Sequence, residues 1–216
     1  MCHLSIMPSE IDIRWLNRGV REIHPTKVRL TEVAAGLIEE HGSQGFTVEQ
    51  LLESSNISKG SLYHHFQDFH DVIRQAQVMR FARYVEEDIE ALSRLLLAAS
   101  SREDMFARLD VVSRATHDSA RSPRRSNRIE ILAGARHSED MKNALGSTQA
   151  RLTGAISDLV REMQSKKFVN EDLDPDAIAV FIQAYSLGLV VNDVSSEQVD
   201  IEKWHAMISR MTRGLL

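Results

Sequence analysis

The chain has 216 residues with a net charge of −5, and 43% of them are hydrophobic and 26% charged. This balance excludes a disordered or fibrous chain and predicts a packed core. With only four prolines and ten glycines, helix formers predominate over turn formers, so we expect an all-α protein. The net negative charge excludes a general attraction to nucleic acid or anionic lipid, so any such binding must be local.

The cysteine content and the apolar runs bear on the compartment. Cys2 is the single cysteine and cannot form an internal disulfide. The first residues lack the pattern of a secretory signal, and the uncharged run over 177–191 is shorter than the roughly 20 residues that a bilayer span needs. We therefore expect a cytoplasmic protein without a membrane segment or a membrane partner.

The chain opens on a lead-in, residues 1–25, which forms either a short helix or a mobile arm carrying several arginines. From Thr26 onward, apolar residues recur at three- and four-residue steps. Gly42 stands where a helix C-terminal glycine belongs. This pattern predicts the first long helix.

Capping signals predict two short helices after the first. A capping box formed by Thr47 and Gln50 places the start of the second helix at the next residue. Ser58 caps the third helix, residues 59–65, and Asn56 supplies a residue that tolerates the left-handed conformation in the turn between them. Two short helices with a tight turn, behind a longer helix, have the spacing of a helix-turn-helix.

Six further helices are predicted after Phe66, and the first of them is long enough to be kinked or broken partway. The penultimate helix is apolar nearly all round from Ile178 to Val191, and the last one carries an apolar stripe. Such faces suit a homodimer, because a monomer would expose them to water. The expected interface residues are Ile178, Ile182, Leu189, Ile201, Trp204, Ile208, Met211 and Leu215.

Small and polar residues on the first turns of the third helix allow its backbone to approach the floor of a DNA major groove. Serine, lysine, tyrosine and histidine side chains can reach base edges or phosphates, and the N-terminus of the second helix offers N–H groups to a further phosphate. The expected DNA contacts are Thr47, Ser58, Lys59, Gly60, Ser61, Tyr63 and His64.

The segment from Thr47 to Phe66, preceded by Arg29–Gly42, resembles the DNA-binding head of the TetR family of bacterial transcriptional repressors. The resemblance covers residues 26–73. Its most specific part is residues 57–66, Ile-Ser-Lys-Gly-Ser-Leu-Tyr-His-His-Phe, which is similar to the family signature of a small residue, glycine, leucine and Tyr-x-His-Phe. The resemblance implies the same DNA-contacting roles for the matching positions.

This interpretation divides the chain into the lead-in, a helix-turn-helix head at 26–66, and a larger helical effector-binding and dimerisation domain at 67–216. We expect a ligand-responsive regulator, a repressor rather than an enzyme, that binds a pseudo-palindromic DNA operator as a homodimer. The alternative is a small-molecule-binding or enzymatic helical bundle whose head does not bind DNA. Two features favour it: residues 26–75 hold four basic and seven acidic side chains, and Phe69 stands where the family commonly has a lysine.

The resemblance implies a small organic effector inside the body, between the fifth, seventh and eighth helices, with the fourth helix carrying the response to the head. The sequence offers mainly apolar linings there with a few polar groups. The candidates are Met105, Leu109, Val112, His117, Leu152, Ile156, Phe181, Gln183 and Tyr185. We expect no cofactor and no metal site, since Glu202-x-x-His205 has no second Glu-x-x-His to complete a di-iron centre.

An arginine run at the start of the sixth helix, with no intervening acid, comprises Arg121, Arg124, Arg125 and Arg128. The run has three interpretations: a solvated helix end, a site for an anionic effector, or a further approach to DNA. Because arginine runs at helix ends usually lie in solvent, we expect the first.

Overall fold

The computed structural model describes residues 24–215, and every regular element in that range is helical. This confirms the predicted all-α class. The α-helices in this range are α1 (Pro25–His41), α2 (Val48–Ser55), α3 (Lys59–His65), α4 (Phe69–Leu96), α5 (Arg102–His117), α6 (Ser122–Gly134), α7 (Glu139–Ser165), α8 (Pro175–Gly188), α9 (Val190–Asp193) and α10 (Ile201–Leu215). Short 3₁₀ turns flank α6 at Ser119–Arg121 and Ala135–His137. Residues 1–23 of the predicted lead-in, which include its arginines, lie outside the described residues, and Pro25 is already the first residue of α1.

The chain forms two compact units that divide between Ala76 and Gln77, within α4. The division lies further along the chain than residue 66, where the sequence predicts the end of the head. The reason is that Val72 and Ile73, on the first turns of α4, pack into the core of the first unit. The fourth helix is one unbroken element of 28 residues.

The first unit is built as its capping signals predict. Thr47 and Gln50 exchange both hydrogen bonds of the capping box, and Asn56 adopts the left-handed conformation with φ of 56° between α2 and α3. Gly45 is required in the turn before α2, because a Cβ there would lie 1.8 Å from the carbonyl oxygen of His41. Leu30, Leu51 and Leu62 are fully buried and join α1, α2 and α3 in one core.

The second unit contains a separate core, to which α7 and α8 contribute where they pack against each other. The last helix, α10, packs against α5. The helices of this unit also begin where the sequence predicts. Ser101, Ser138 and Asp174 each accept a hydrogen bond from the backbone N–H three residues on, at 3.1, 3.3 and 2.7 Å.

The penultimate helix is shorter than predicted. It ends at Gly188 instead of continuing to Val191, and residues 190–193 form the separate α9. In this short segment Leu189 is buried in the protein, and Asp193 pairs with Arg125. By length and composition alone, Pro175–Asp193 would suffice to cross a membrane, a test that core helices of soluble proteins also pass.

Candidate DNA-binding and effector sites

The third helix presents one face to its own core and the opposite face to solvent. Leu62 is fully buried, whereas Lys59, Gly60, Tyr63 and His64 are exposed. We call these four residues the outer face of α3. Tyr63 is 46% exposed although it is a large aromatic residue, so the protein leaves this ring free for an external contact.

Gly60 has no internal structural reason to be a glycine. A Cβ built at this position meets no atom within 4 Å, and its backbone does not adopt the left-handed conformation. Glycine costs helix stability relative to alanine, by about 0.5–1 kcal/mol. Packing inside the protein therefore does not require a glycine at this exposed position of α3.

Three predicted DNA contacts belong to helix caps: Thr47 and Ser58 are cap residues, and Ser61 donates its backbone N–H to the Ser58 hydroxyl. The Ser58 hydroxyl accepts from the Ser61 N–H at 3.3 Å and thereby caps α3. The Thr47 hydroxyl caps α2 by accepting from the Gln50 N–H, also at 3.3 Å. Ser58 and Thr47 are exposed, and Ser61 is half-buried. Their hydroxyls remain reachable from outside while they fix the helix N-termini.

Basic groups gather beside α3 despite the acidic composition of the unit. The rings of His24 and His65 lie 4.6 Å apart, His64 and His65 lie 5.0 Å apart, and the Lys27 ammonium lies 5.3 Å from the Phe66 ring centre. Desolvation lowers the pKa of His65, and the neighbouring His24, His64 and Lys27 lower it further. The lowered pKa keeps His65 uncharged at neutral pH, so the Lys27 ammonium, beside the Phe66 ring at the C-terminal end of α3, is the permanent positive charge of this cluster.

Phe69, which stands where the family commonly has a lysine, is a packing residue. Its ring meets Phe46 edge-on at 5.5 Å, and it packs against the core of the first unit. The start of α4 is capped instead by neighbouring acids, since Asp68 accepts from the Asp71 N–H at 2.6 Å and Asp71 accepts from the Gln67 N–H at 3.2 Å. Phe69, in place of the usual lysine, therefore contributes to the core of the first unit.

The second unit contains a cavity of about 230 Å³ with mainly apolar walls. Its lining includes six of the nine predicted effector residues, namely Met105, Leu109, Val112, Ile156, Phe181 and Tyr185. The acids in the wall are already engaged, Asp110 by Arg213 at 2.9 Å and Asp174 in capping α8. Burial raises the pKa of the Tyr185 phenol, so this group stays neutral and remains a hydrogen-bond donor. We call this space the apolar lobe.

A second cavity of about 160 Å³ adjoins the apolar lobe, because residues including Val112, Ser113 and Tyr185 line both. Two further predicted effector residues, Leu152 and Gln183, lie in its wall. The Gln183 amide is already bonded to Gln149, to the Thr153 hydroxyl and to its own helix backbone. All four arginines of the run also line this space, and we call it the arginine lobe.

His117 lines neither lobe. It is 1% exposed, and its Nδ1 accepts from the Trp204 indole N–H at 3.2 Å. Desolvation lowers the His117 pKa to about 4, with further lowering by the charges of His205 and Arg125. The ring is therefore neutral at pH 7 and joins α5 to α10 inside the protein.

The expectation of a solvated arginine run is wrong for three of its four members. Arg124 binds Glu87 and, at 2.9 Å, Asp88. Arg128 also binds Asp88. Arg125 is 4% exposed and binds both carboxylate oxygens of Asp193. Only Arg121 is exposed. Partners 36 to 68 positions away in sequence draw the other three inward, and no local pattern reveals those contacts.

The predicted dimer residues differ in how far the protomer buries them. Ile178, Leu189 and Ile208 are buried inside the protomer, and Ile182 and Trp204 are half-buried. Ile201 and Met211 are exposed, while the side chain of Leu215 lies outside the described part. The segment from α8 to α10 nevertheless exposes other large apolar residues, namely Val180, Phe181, Val191, Val194, Val199 and Met207.

No group of three or more potential metal-ligating side chains occurs among the described residues.

Comparisons with known proteins agree with this architecture. Residues 30–73 match the family model described as bacterial regulatory proteins, tetR family, and residues 110–216 match that of the BetI-type transcriptional repressor C-terminal domain. The HTH-type transcriptional repressor Rv1474c of Mycobacterium tuberculosis is 25% identical over 162 residues, covering 73% of this chain and 76% of that protein. UidR of Escherichia coli K12, an HTH-type transcriptional regulator, is 21% identical over 90% of this chain and 95% of its own.

Solved structures show the same fold. Salmonella enterica GusR superposes with a TM-score of 0.60 at 20% identity, covering 91% of this chain and 98% of that chain. A TetR-family regulator from Mesorhizobium loti gives a TM-score of 0.64 at 12% identity over 88% and 94% of the two chains. With both halves matched and the helix-turn-helix in place, this chain is a transcriptional regulator that belongs to the TetR family.

Proposed function

We propose that the protein is a ligand-responsive repressor that acts in the cytoplasm and binds a pseudo-palindromic DNA operator as a homodimer. The observation that carries the proposal is the outer face of α3. It combines an exposed lysine, tyrosine and histidine with a glycine for which the protein itself has no need. Such a face fits a major groove, where a small residue admits the helix and polar side chains reach bases and phosphates.

The contacts have different roles in this proposal. Lys59 and Tyr63 reach phosphates or base edges, and His64 adds a phosphate contact from the next turn. Thr47 sits at the N-terminus of α2, where unpaired N–H groups and the helix dipole favour a phosphate. Because the first unit is acidic overall, these local groups must supply the attraction to DNA.

The apolar surface of α8 to α10 supports the proposed dimer. Only 17% of the most apolar window of Pro175–Asp193 is buried inside the protomer, although core helices are normally covered. Val191 and Val194 are 74% and 78% exposed. A second copy of the chain would cover this surface, and two-fold symmetry would place the recognition helices about 34–36 Å apart on one side of the DNA.

The two lobes of the second unit form the proposed effector site. They lie among α4 to α8 and α10, and α4 runs without a break from this unit into the first. A ligand that shifts α4 would change operator affinity, and a coupling of about 1–3 kcal/mol corresponds to a change of about 5- to 150-fold.

Fluorescence anisotropy with labelled DNA from the region upstream of the protein's own gene tests the proposal, alongside light scattering of the free protein. We expect saturable, salt-sensitive binding by a dimer. A monomer in solution, or affinity for this DNA no greater than for a scrambled duplex, would overturn it and favour a bundle that does not bind DNA.

A further inference from the structure

The arginine lobe holds more positive than negative charge. Four guanidinium groups line it, and the carboxylates that pair with them in the described part of the chain are Glu87, Asp88 and Asp193. One positive charge therefore has no counterpart. Such an excess at the wall of a cavity favours a single negative charge inside it.

Two of the four arginines are already committed. Arg125 donates to both oxygens of Asp193 and to the carbonyl oxygens of Thr116 and Asp118, which occupies its guanidinium. Arg124 is shared between Glu87, Asp88 and the Tyr84 carbonyl. These two groups hold the walls of the lobe together.

The other two arginines retain unused donors. Arg128 binds Asp88 through Nη1, but its buried Nε has no hydrogen-bond partner. A buried donor without an acceptor is unfavourable, so a ligand acceptor at Nε would satisfy a group that the free protein leaves unpaired. Arg121 is exposed at the rim of the same lobe, and no carboxylate within residues 24–215 pairs with it.

The apolar lobe meets the arginine lobe along residues that line both spaces, including Val112, Ile156 and Tyr185. One molecule that fills both spaces must have an apolar body and a single anionic end. A carboxylate suits that end because its two oxygens match the planar guanidinium fork.

We propose that the effector is an amphiphilic carboxylic acid, with an alkyl or aryl body in the apolar lobe and its carboxylate on Arg128 and Arg121. This inference rests on the proposed effector site and names the class of its ligand. Asp88 lines the same lobe and already binds Arg128. The ligand carboxylate and Asp88 are therefore competitors for one guanidinium.

Isothermal titration calorimetry on the full chain tests the class with matched probes: octanoate against 1-octanol, and 4-phenylbutanoate against 4-phenylbutan-1-ol. Each pair shares an apolar body and differs in the charged end. We expect each acid to bind at least about tenfold more tightly than its alcohol, the factor that one charged hydrogen bond contributes. Equal affinities within each pair, or no binding of either acid at millimolar concentration, would overturn the proposal.

Variants locate the anionic end. Arg128→Gln should remove the preference for acids, and Arg121→Gln, which breaks no ion pair of the described residues, should reduce it several-fold. Asp88→Asn removes the competitor and should raise acid affinity, an outcome that damage to the fold does not produce. Arg136→Gln, at an exposed arginine that lines neither lobe, is the matched control and should change nothing.

An acid preference that survives both Arg128→Gln and Arg121→Gln, or a lower acid affinity of Asp88→Asn while its circular dichroism and thermal unfolding match those of the parent protein, would contradict the assignment. Operator binding is measured separately by anisotropy. Failure of acid recognition with intact operator binding overturns this inference alone, and acid recognition without operator binding overturns the proposed regulator.

Discussion

Arg125 and Asp193 form a bidentate ion pair that joins α6 to α9. The Nε–Oδ2 distance is 2.8 Å and the Nη2–Oδ1 distance is 2.7 Å. Both side chains are nearly buried, at 5% and 11% exposure. The hydrogen bond from Arg125 is the main reason that the pKa of Asp193 lies below its usual range.

Breaking this pair should destabilise the second unit. Asp193→Asn leaves the Arg125 charge buried without a counter-ion, and we expect the free energy of unfolding to fall by about 3–5 kcal/mol. Denaturant unfolding followed by circular dichroism measures the decrease. Asp158→Asn, which disrupts an exposed pair with Arg161, is the control and should leave the unfolding midpoint unchanged.

The same pair predicts a pH dependence of stability. Because the native pKa of Asp193 is depressed, its contribution is fully present above the unfolded-state pKa of about 3.9 and is lost as pH falls through the native pKa. The difference in unfolding free energy between the parent protein and Asp193→Asn should be constant from neutral pH to about pH 5 and shrink below about pH 4. A difference that grows on acidification would contradict this account of the pair.

Gly60→Ala separates a DNA role from a structural one. The added methyl group meets no protein atom within 4 Å, so stability should stay equal or rise by up to about 1 kcal/mol. Operator affinity should fall, because the methyl group intrudes into the groove. Gly36→Ala, at a helical glycine of α1 that is equally open, should show the stability effect without any decrease in DNA affinity. Equal operator affinities for the two variants would remove the argument from close approach.

Lys59→Ala and Tyr63→Ala should weaken operator binding without altering the thermal unfolding of the protein, since both side chains are exposed. Removing one phosphate interaction should lower the slope of log affinity against log salt by about 0.9. Anisotropy titrations at several salt concentrations give the slope. A double variant with the parent affinity and slope would show that α3 is not the recognition helix.

Charge placed on the α9 surface should prevent dimerisation. Val191→Glu and Val194→Glu introduce carboxylates at positions that are 74% and 78% exposed in the protomer, so the monomer should fold normally. Light scattering coupled to size exclusion should then report the monomer mass. Leu97→Glu, at an apolar residue that is 51% exposed and lies outside this surface, is the control and should remain dimeric. If Leu97→Glu is monomeric, or if both valine variants remain dimeric, the interface lies elsewhere.

The helix starts could be predicted from sequence because they depend on neighbours within a few residues. Thr47, Ser58 and Ser101 all cap the helices that their spacing indicates. Local spacing also places the apolar linings of α5, α7 and α8, which explains why eight predicted effector residues line the two lobes.

Contacts between distant residues could not be predicted in this way. The burial of Arg125 depends on Asp193, 68 positions away, and the bond from Trp204 that holds His117 in the interior spans 87 positions. The break between α8 and α9 was not predicted either; Leu189 at the break is buried, and Asp193 at the end of α9 pairs with the distant Arg125. Likewise, the sequence does not show whether an apolar residue on a periodic helix face, such as Ile178, packs into the protomer's own core or against a partner. The structure shows that Ile178 is buried inside the protomer.

The central claim is that α3 recognises the operator in a symmetric dimer. Footprinting of the DNA upstream of the protein's own gene tests this claim most directly. The account predicts one protected pseudo-palindrome whose half-site centres lie about 10–10.5 base pairs apart, or a multiple of that spacing, with protection abolished in Tyr63→Ala. Protection without two-fold symmetry, or protection that Tyr63→Ala leaves intact, would contradict it.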